Sequence, residues 1–508
     1  MKLILAMAGL LLALWLVPAR PVAAATPVSA ADIAYTVAQM SLDEQLGQLF
    51  ISRTPATPAA VEAAVRQYHV GGLILFAPDL SGETAAQTAA KVAGWQAQAK
   101  VPLLIATDQE GGTVSRLNSS LTYANQNYPE PAQAGGLTAA IATAQAQAQA
   151  LRTLGVNWNF APVADVTTDP TSFIAARGYS ASYATTAEYI RQVVPAIQAT
   201  GVAATLKHFP GYGAAGDTHT GFATLQKPLA ALEAEDLVPF KAGIAAGVDA
   251  VMVTHIVMAA LDADHPASFS HAVVTTLLRD QLGYSGVIVT DGLDMGAITQ
   301  YAQAHGQATP DLTALLAGND AIMADDYAVA LPLLKQAVAD GTLPRQTVTT
   351  AVNRVLTLKQ QLGLLTPAVV PPVALTVSVT PLGEQRVTLA GHVSGGGQAG
   401  QPVTVQRGAQ TLATGALDAT GAFKLVVSRA TQAQDATVTV ASPLAAVPAG
   451  ALTDTVTLPA KAVGHRSTPT QSRSVSVRRA GVRRYWWAGL GALTVTILGG
   501  VWWLHRKM

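Results

Sequence analysis

From Lys207 to His219 the chain reads Lys-His-Phe-Pro-Gly-Tyr-Gly-Ala-Ala-Gly-Asp-Thr-His, a lysine, two histidines and an aspartate set among glycines. So much glycine beside Pro210 excludes a helix and lets the backbone bend closely. The apolar run just before it, Val202–Leu206, reads as a short buried strand. A strand that ends in a polar, titratable loop is how an α/β barrel presents an active site. The chemistry on offer is proton transfer. A histidine titrates near neutral pH, and Asp217, two residues before His219, can orient the imidazole and stabilise its protonated form. One loop histidine alone reads as incidental. Lys207-His208 at a strand end together with Asp217-x-His219 favours a working site.

Other chemically useful groups follow other apolar runs. Asp108-Gln109-Glu110-Gly111-Gly112-Thr113-Val114-Ser115-Arg116 follows Leu103–Thr107, and Asp165 and then Arg177 follow Val156–Phe160. His255 follows Ala250–Thr254 and reads either as pocket floor or as a satisfied core histidine. Asp291 follows Gly286-Val287-Ile288-Val289-Thr290, a run apolar enough for a buried strand. A carboxylate at such a mouth needs donors to remain ionised. The plainer reading of Asp291 is a helix N-cap for the segment near Leu293.

The elements that must position these groups alternate. Gly71–Phe76, Leu103–Thr107, Val156–Phe160, Val202–Leu206, Ala250–Thr254, Val287–Thr290 and Ala321–Met323 read as strands. Between them lie helical pieces such as Leu137–Leu154, Thr185–Thr200 and Pro228–Ala246. The expected fold class is therefore α/β, a (β/α)8 TIM-type barrel over residues 31–366, with an open doubly wound sheet as the alternative. In a barrel, charged groups at successive strand ends converge on one face.

The run Lys207–His219 resembles the signature of glycoside hydrolase family 3, in its β-N-acetylhexosaminidase (NagZ-like) branch. That branch reads Lys-His-Phe-Pro-Gly-x-Gly, a short spacer, then Asp-Ser/Thr-His; the spacer Ala214-Ala215-Gly216 is one residue shorter than in many members. Thr290-Asp291-Gly292-Leu293-x-Met295 likewise resembles the family's Thr-Asp-Asp/Gly-Leu-x-Met. The resemblance covers about residues 35–365. It implies a retaining double displacement with Asp291 as nucleophile and His219, paired with Asp217, as acid/base. It assigns Asp108, Lys207 and His208 to the non-reducing sugar, with Arg177 nearby and Arg116 as a further candidate, while Asp294 caps or packs near Asp291. The implied activity is exo-acting release of terminal β-linked N-acetylglucosamine from peptidoglycan fragments or chitooligosaccharides. No cofactor and no metal are required. The alternatives are a family 3 β-glucosidase or β-xylosidase, phosphorolysis in place of hydrolysis, and an inactive surface protein that binds wall glycans.

The 508 residues carry 31 basic and 31 acidic side chains and no cysteine. Charge balance gives no reason to expect nucleic acid, and the missing cysteines exclude a disulfide framework and a thiolate metal site. A carbohydrate substrate and a monomer are expected. Residues 1–25 read as a signal peptide, with Lys2, an apolar run and Ala23-Ala24-Ala25. After the stiff linker 367–372, residues 373–459 alternate apolar and polar between glycine-rich turns and read as a small Ig-like β-sandwich, a spacer. Residues 460–484 read as a basic disordered linker. Residues 485–504, uncharged and ending in tryptophan pairs, read as a transmembrane helix that anchors an extracytoplasmic enzyme to the membrane.

Overall fold

The structure is a computed structural model that describes residues 28–460, apart from 214, 220, 222, 307–309, 368–373, 395–396, 398, 431 and 442–451, together with 475–476. Eight strands build one sheet: β1 (Phe50–Arg53), β2 (Gly72–Leu75), β3 (Leu104–Thr107), β4 (Trp158–Asn159), β5 (Ala203–Phe209), β6 (Ala250–Val253), β7 (Val287–Thr290) and β8 (Ile322–Met323). They hydrogen-bond in the order β7-β6-β5-β4-β3-β2-β1-β8, and every pairing is parallel. A parallel bridge between Val289 and Ala321, with Ala321 N donating to Ile288 O at 3.0 Å, joins β7 to β8 and closes the ring. The closed barrel replaces the doubly wound alternative.

Parallel strands covered on both faces must be apolar on both, and β2, β3, β6 and β7 are buried at every position. Ile51, Ile74, Leu104, Trp158, Met252 and Val289 fill the barrel interior. Val355 and Leu358 of the helix Arg345–Gln361 join that cluster. Trp158 Nε1 donates to Thr205 Oγ1 at 2.7 Å, so the one polar atom of that ring is satisfied inside. Capping boxes start the surrounding helices: Ser41 and Glu44 for Leu42–Gly47, Thr84 and Gln87 for Ala85–Gln96.

Two features differ from the sequence reading. Strand β1 was not anticipated; with only Phe50–Arg53 after a short helix, it is too brief to show a period. Strand β5 runs on to Phe209, so Lys207 and His208 are buried strand residues rather than loop residues. Beyond it, Gly211 to Gly216 has Gly-x-Gly-x-x-Gly spacing, but the next described helix begins only at Leu229, so these glycines open no phosphate-binding helix turn.

Beyond the barrel, two four-stranded sheets face each other. One has the order β13 (Ala422–Ser428), β10 (Arg386–Ser394), β9 (Ala374–Leu382) and β16 (Val475–Ser476). The other has β12 (Gln410–Ala416), β11 (Pro402–Arg407), β14 (Gln434–Val440) and β15 (Leu452–Leu458). Alternate residues such as Val387, Leu389, Val403, Val405 and Val438 point into a shared core. Tyr35 of the helix Ala30–Gln39 also packs there, and its hydroxyl donates to Gln401 Oε1 at 2.9 Å.

The membrane-anchored part of the expected architecture is corrected. Among the described residues no helix is long and apolar enough to cross a membrane. The long helices Leu137–Thr153 and Arg345–Gln361 have 17 residues each and carry polar faces, whereas a span needs about 20 mostly apolar residues. Residues 1–25 and 485–504, expected as signal peptide and anchor, lie outside the described residues. The anchored fold class and the membrane location drawn from it are withdrawn.

Candidate active site

The carboxyl ends of the barrel strands surround a cavity of about 370 Å³. Its lining includes Asp108, Arg116, Arg177, Lys207, His208, His219 and Asp291. Seven of the eight residues singled out in the sequence thus share one cavity, and the eighth, Asp217, holds His219 from the loop.

Each is positioned by a short segment. After β3 the chain folds into a hairpin, Gln109–Gly111 against Val114–Ser115. Gly111 takes φ 102°, where a Cβ would sit 2.4 Å from Pro129 O. Gln109 steadies the hairpin by bonding Ser115 Oγ at 2.8 Å and Gln147 Oε1 at 3.2 Å. This aims Asp108 and Glu110 at Lys207, whose Nζ lies 2.8 Å from Asp108 Oδ1 and 2.6 Å from Glu110 Oε1. Arg177 grips Glu110 with both arms, Nε to Oε2 at 2.8 Å and Nη2 to Oε1 at 2.7 Å. Burial alone would raise the Glu110 carboxyl, but Lys207 and Arg177 outweigh it and hold it at about 2. Burial would also lower the Lys207 ammonium, and Asp108 and Glu110 reverse that, so its pKa is raised. Glu110, Lys207 and Arg177 are therefore held in their charged forms.

Asp165 clasps the strand end. Its carboxylate accepts from His208 N, from Tyr212 N at 2.7 Å and from His208 Nδ1 at 2.7 Å. A carboxylate only accepts, so His208 carries its proton on Nδ1 and turns Nε2 toward Arg177 Nη2 at 3.3 Å. Neither Glu110 nor Asp165 was singled out as a site residue in the sequence. The available signal was their place three and five residues past the apolar runs Leu103–Thr107 and Val156–Phe160.

Asp291 stands at the end of β7, facing the cavity. Burial would raise its carboxyl; His208 and His255, the Gly292 N–H at 2.9 Å and Lys207 more than offset that and hold it below the usual carboxylate range. Of the two readings open for His255, the structure shows the core one. The ring is fully buried behind the site, with Nε2 at 2.9 Å from Gly292 O and Nδ1 at 2.8 Å from Ser268 Oγ. Its pKa is lowered, first by burial. A carbonyl oxygen only accepts, so Nε2 carries a proton and donates to Gly292 O. The N-cap reading of Asp291 fails, because the next helix starts at Gly296 with Met295 as its cap. Asp294 lines the cavity and pairs with Arg53 at 2.8 Å.

His219 enters on the loop after β5. Asp217 Oδ1 accepts from His219 N at 3.0 Å and from Nδ1 at 2.6 Å, which orients the ring through Nδ1. The loop docks through its backbone: Gly296 N donates to His219 O at 3.1 Å and Ala297 N to Thr218 O at 3.2 Å. Those are orphan donors of the helix Gly296–His305, the helix that follows Asp291 in the chain. Among the described residues no group of histidines and carboxylates is arranged to hold a metal ion.

A largely buried carboxylate kept ionised, an Asp-oriented imidazole and a cluster of charged side chains now stand in one barrel mouth. Residues 41–358 match the Glycosyl hydrolase family 3 N terminal domain. The chain belongs to glycosyl hydrolase family 3. It is a glycoside hydrolase, and its substrate is a carbohydrate. A β-hexosaminidase of Xanthomonas oryzae pv. oryzae is 41% identical over 234 residues, 45% of this chain and 69% of that protein. The β-hexosaminidase LpqI of Mycobacterium tuberculosis is 34% identical over 353 residues, 67% of this chain and 89% of that protein. Among solved structures, a family 3 β-N-acetylglucosaminidase from Paenibacillus superposes with a TM-score of 0.58 at 34% identity, over 64% of this chain and 63% of that one. The solved LpqI superposes with a TM-score of 0.57 at 32% identity, over 66% of this chain and 98% of that one. This family 3 chain thus spans nearly all of LpqI but less than two thirds of the Paenibacillus enzyme.

Proposed function

We propose that this family 3 barrel is an exo-acting β-N-acetylglucosaminidase that works by retaining double displacement. Asp291 attacks the anomeric carbon while His219 protonates the glycosidic oxygen; the bond to the leaving group breaks and a glycosyl-Asp291 ester forms. His219, now neutral, then takes a proton from water as that water attacks the ester, and N-acetylglucosamine leaves with its β configuration restored. Asp217 orients the imidazole throughout. Asp108, Lys207 and His208 hold the sugar hydroxyls, Arg177 secures the cradle through Glu110, and Arg116, 3.7 Å from Asp108, lies beside it. The observation that carries the reading is that Asp291 and the Asp217-held His219 line one cavity. The names of the Xanthomonas, Mycobacterium and Paenibacillus relatives support N-acetylhexosamine over glucose. Terminal β-linked residues of peptidoglycan fragments or chitooligosaccharides are the substrates we favour. Residues 31–366 form the catalytic unit in this reading, and residues 373–459 serve as a spacer.

Release of 4-nitrophenol from the β-N-acetylglucosaminide and from the β-glucoside tests this. The expected result is preference for the former, with kcat falling about 10³-fold or more in Asp291→Ala and in His219→Ala when the leaving group is poor. Better cleavage of the glucoside, or full activity of His219→Ala on the poor leaving group, would overturn it.

A further inference from the structure

We infer that Phe173 is the platform for the leaving-group sugar and so selects pyranose leaving groups over simple alkyl ones. The inference rests on the catalytic reading of His219 given above. Phe173 lies on the segment after β4, lines the cavity, and is 38% exposed, the one exposed phenylalanine side chain among the described residues. A lone exposed apolar ring is ordinary, so exposure is not the reason to give this one a role. Its position is the reason. The acid/base must come within hydrogen-bond reach of the glycosidic oxygen, so whatever lies beyond that oxygen comes to rest beside His219. The Phe173 ring centroid is 5.5 Å from the His219 ring and 5.8 Å from Tyr212.

The ring is also held ready. Arg177 places its guanidinium carbon 5.1 Å from the ring centroid, and that guanidinium is already committed to Glu110, so it steadies the ring without offering a charge to the leaving group. Next to it, Ser172 Oγ donates to Gly213 O at 3.2 Å, tying the segment to the His219 loop. A pyranose presents one face of polarised C–H groups, which suits the negative face of an aromatic ring and requires no charge. The ligand class is therefore a neutral β-linked pyranose, with the scissile oxygen at His219.

The test compares chitobiose with methyl β-N-acetylglucosaminide, using the full chain. Both leaving groups are poor and need the proton of His219, but only chitobiose brings a second ring. Phe173→Ala is expected to lower kcat/KM for chitobiose about tenfold while the methyl glycoside changes less than about twofold, and Phe173→Trp to recover chitobiose. Equal losses on both substrates would show that Phe173 positions His219 instead, and no loss on either would show that it contacts no leaving group. Either result overturns the inference. Retained turnover of the methyl glycoside reports that the variant is folded. Inactivity of the unmodified chain on both substrates would instead sink the β-N-acetylglucosaminidase reading, and this inference with it.

Discussion

Two lysines are buried in the same barrel and meet opposite fates. Lys207, 2% exposed at the mouth, has Asp108 and Glu110 within 2.8 Å and keeps its proton more tightly than a free lysine. Lys359 is 0% exposed and bonds the neutral Gln48 Oε1 at 2.6 Å, just before β1 and so at the amino-terminal end of the strands. Burial there lowers its pKa to about 7. Desolvation acts on both; only the presence of carboxylates differs. The mouth therefore holds a fixed charge, while the opposite end carries an amine that sheds its charge near neutrality. That agrees with the usual division of a barrel, chemistry at the carboxyl ends and stability at the other.

The largest effect is expected from Lys207→Met. It removes the buried cation that Asp108 and Glu110 share, leaving Glu110 to Arg177 alone, at a cost of about 3 kcal/mol in urea unfolding. Activity on the nitrophenyl β-N-acetylglucosaminide falls by about 10³-fold as the sugar cradle is lost. Glu110→Gln comes next, with a loss of about 10²-fold. The sign for stability follows from the depressed carboxyl: its contribution is present above pH 4.5 and is lost as pH falls toward about 2. In that window Glu110→Gln flattens the pH dependence of unfolding by up to about 1.4 kcal/mol per pH unit.

Lys359→Met sharpens the contrast because activity stays within about twofold while stability changes. The folded lysine releases its proton near pH 7 and the unfolded one near 10.5, so the unfolded chain binds more protons between these values and stability rises with pH. The rise is at most about 1.4 kcal/mol per unit and is absent from the variant. If Lys359→Met lost activity as Lys207→Met does, the division between the two ends would fail. The smallest change is expected from Arg53→Met. Its pair with Asp294 is half-exposed, so removing it alters unfolding by less than about 1 kcal/mol.

Legibility in the sequence followed burial pattern and local spacing. Seven of the barrel strands announced themselves as apolar runs bounded by polar loops, because parallel strands are dry on both faces. Phe50–Arg53 did not, since its last residue, Arg53, is exposed and turns to the cavity rim. Lys207 and His208 were recognised as site residues yet placed in a loop, because charge at a strand end reads as solvent until its partners are known. Those partners, Glu110 and Asp165, lie 97 and 43 residues away along the chain, and their place after apolar runs does not tell which cation each will meet. His255 remained open between pocket and core for the same reason: only the carbonyl of Gly292 and the hydroxyl of Ser268 decide it.

What the sequence determined by itself was the set of reactive groups and the order in which they are presented. Asp217 and His219 lie two residues apart, Lys207 and His208 are adjacent, and Asp291 closes an apolar strand, so local covalent spacing already restricts what each can reach. What only the tertiary structure decided was their charge and company. Pairing β3 with β4 and β4 with β5 brings carboxylates from the hairpin after β3 beside cations from β5 and the segment after β4, and the low dielectric between them makes each contact strong. Protonation is a property of that shared environment, which no stretch of chain contains alone.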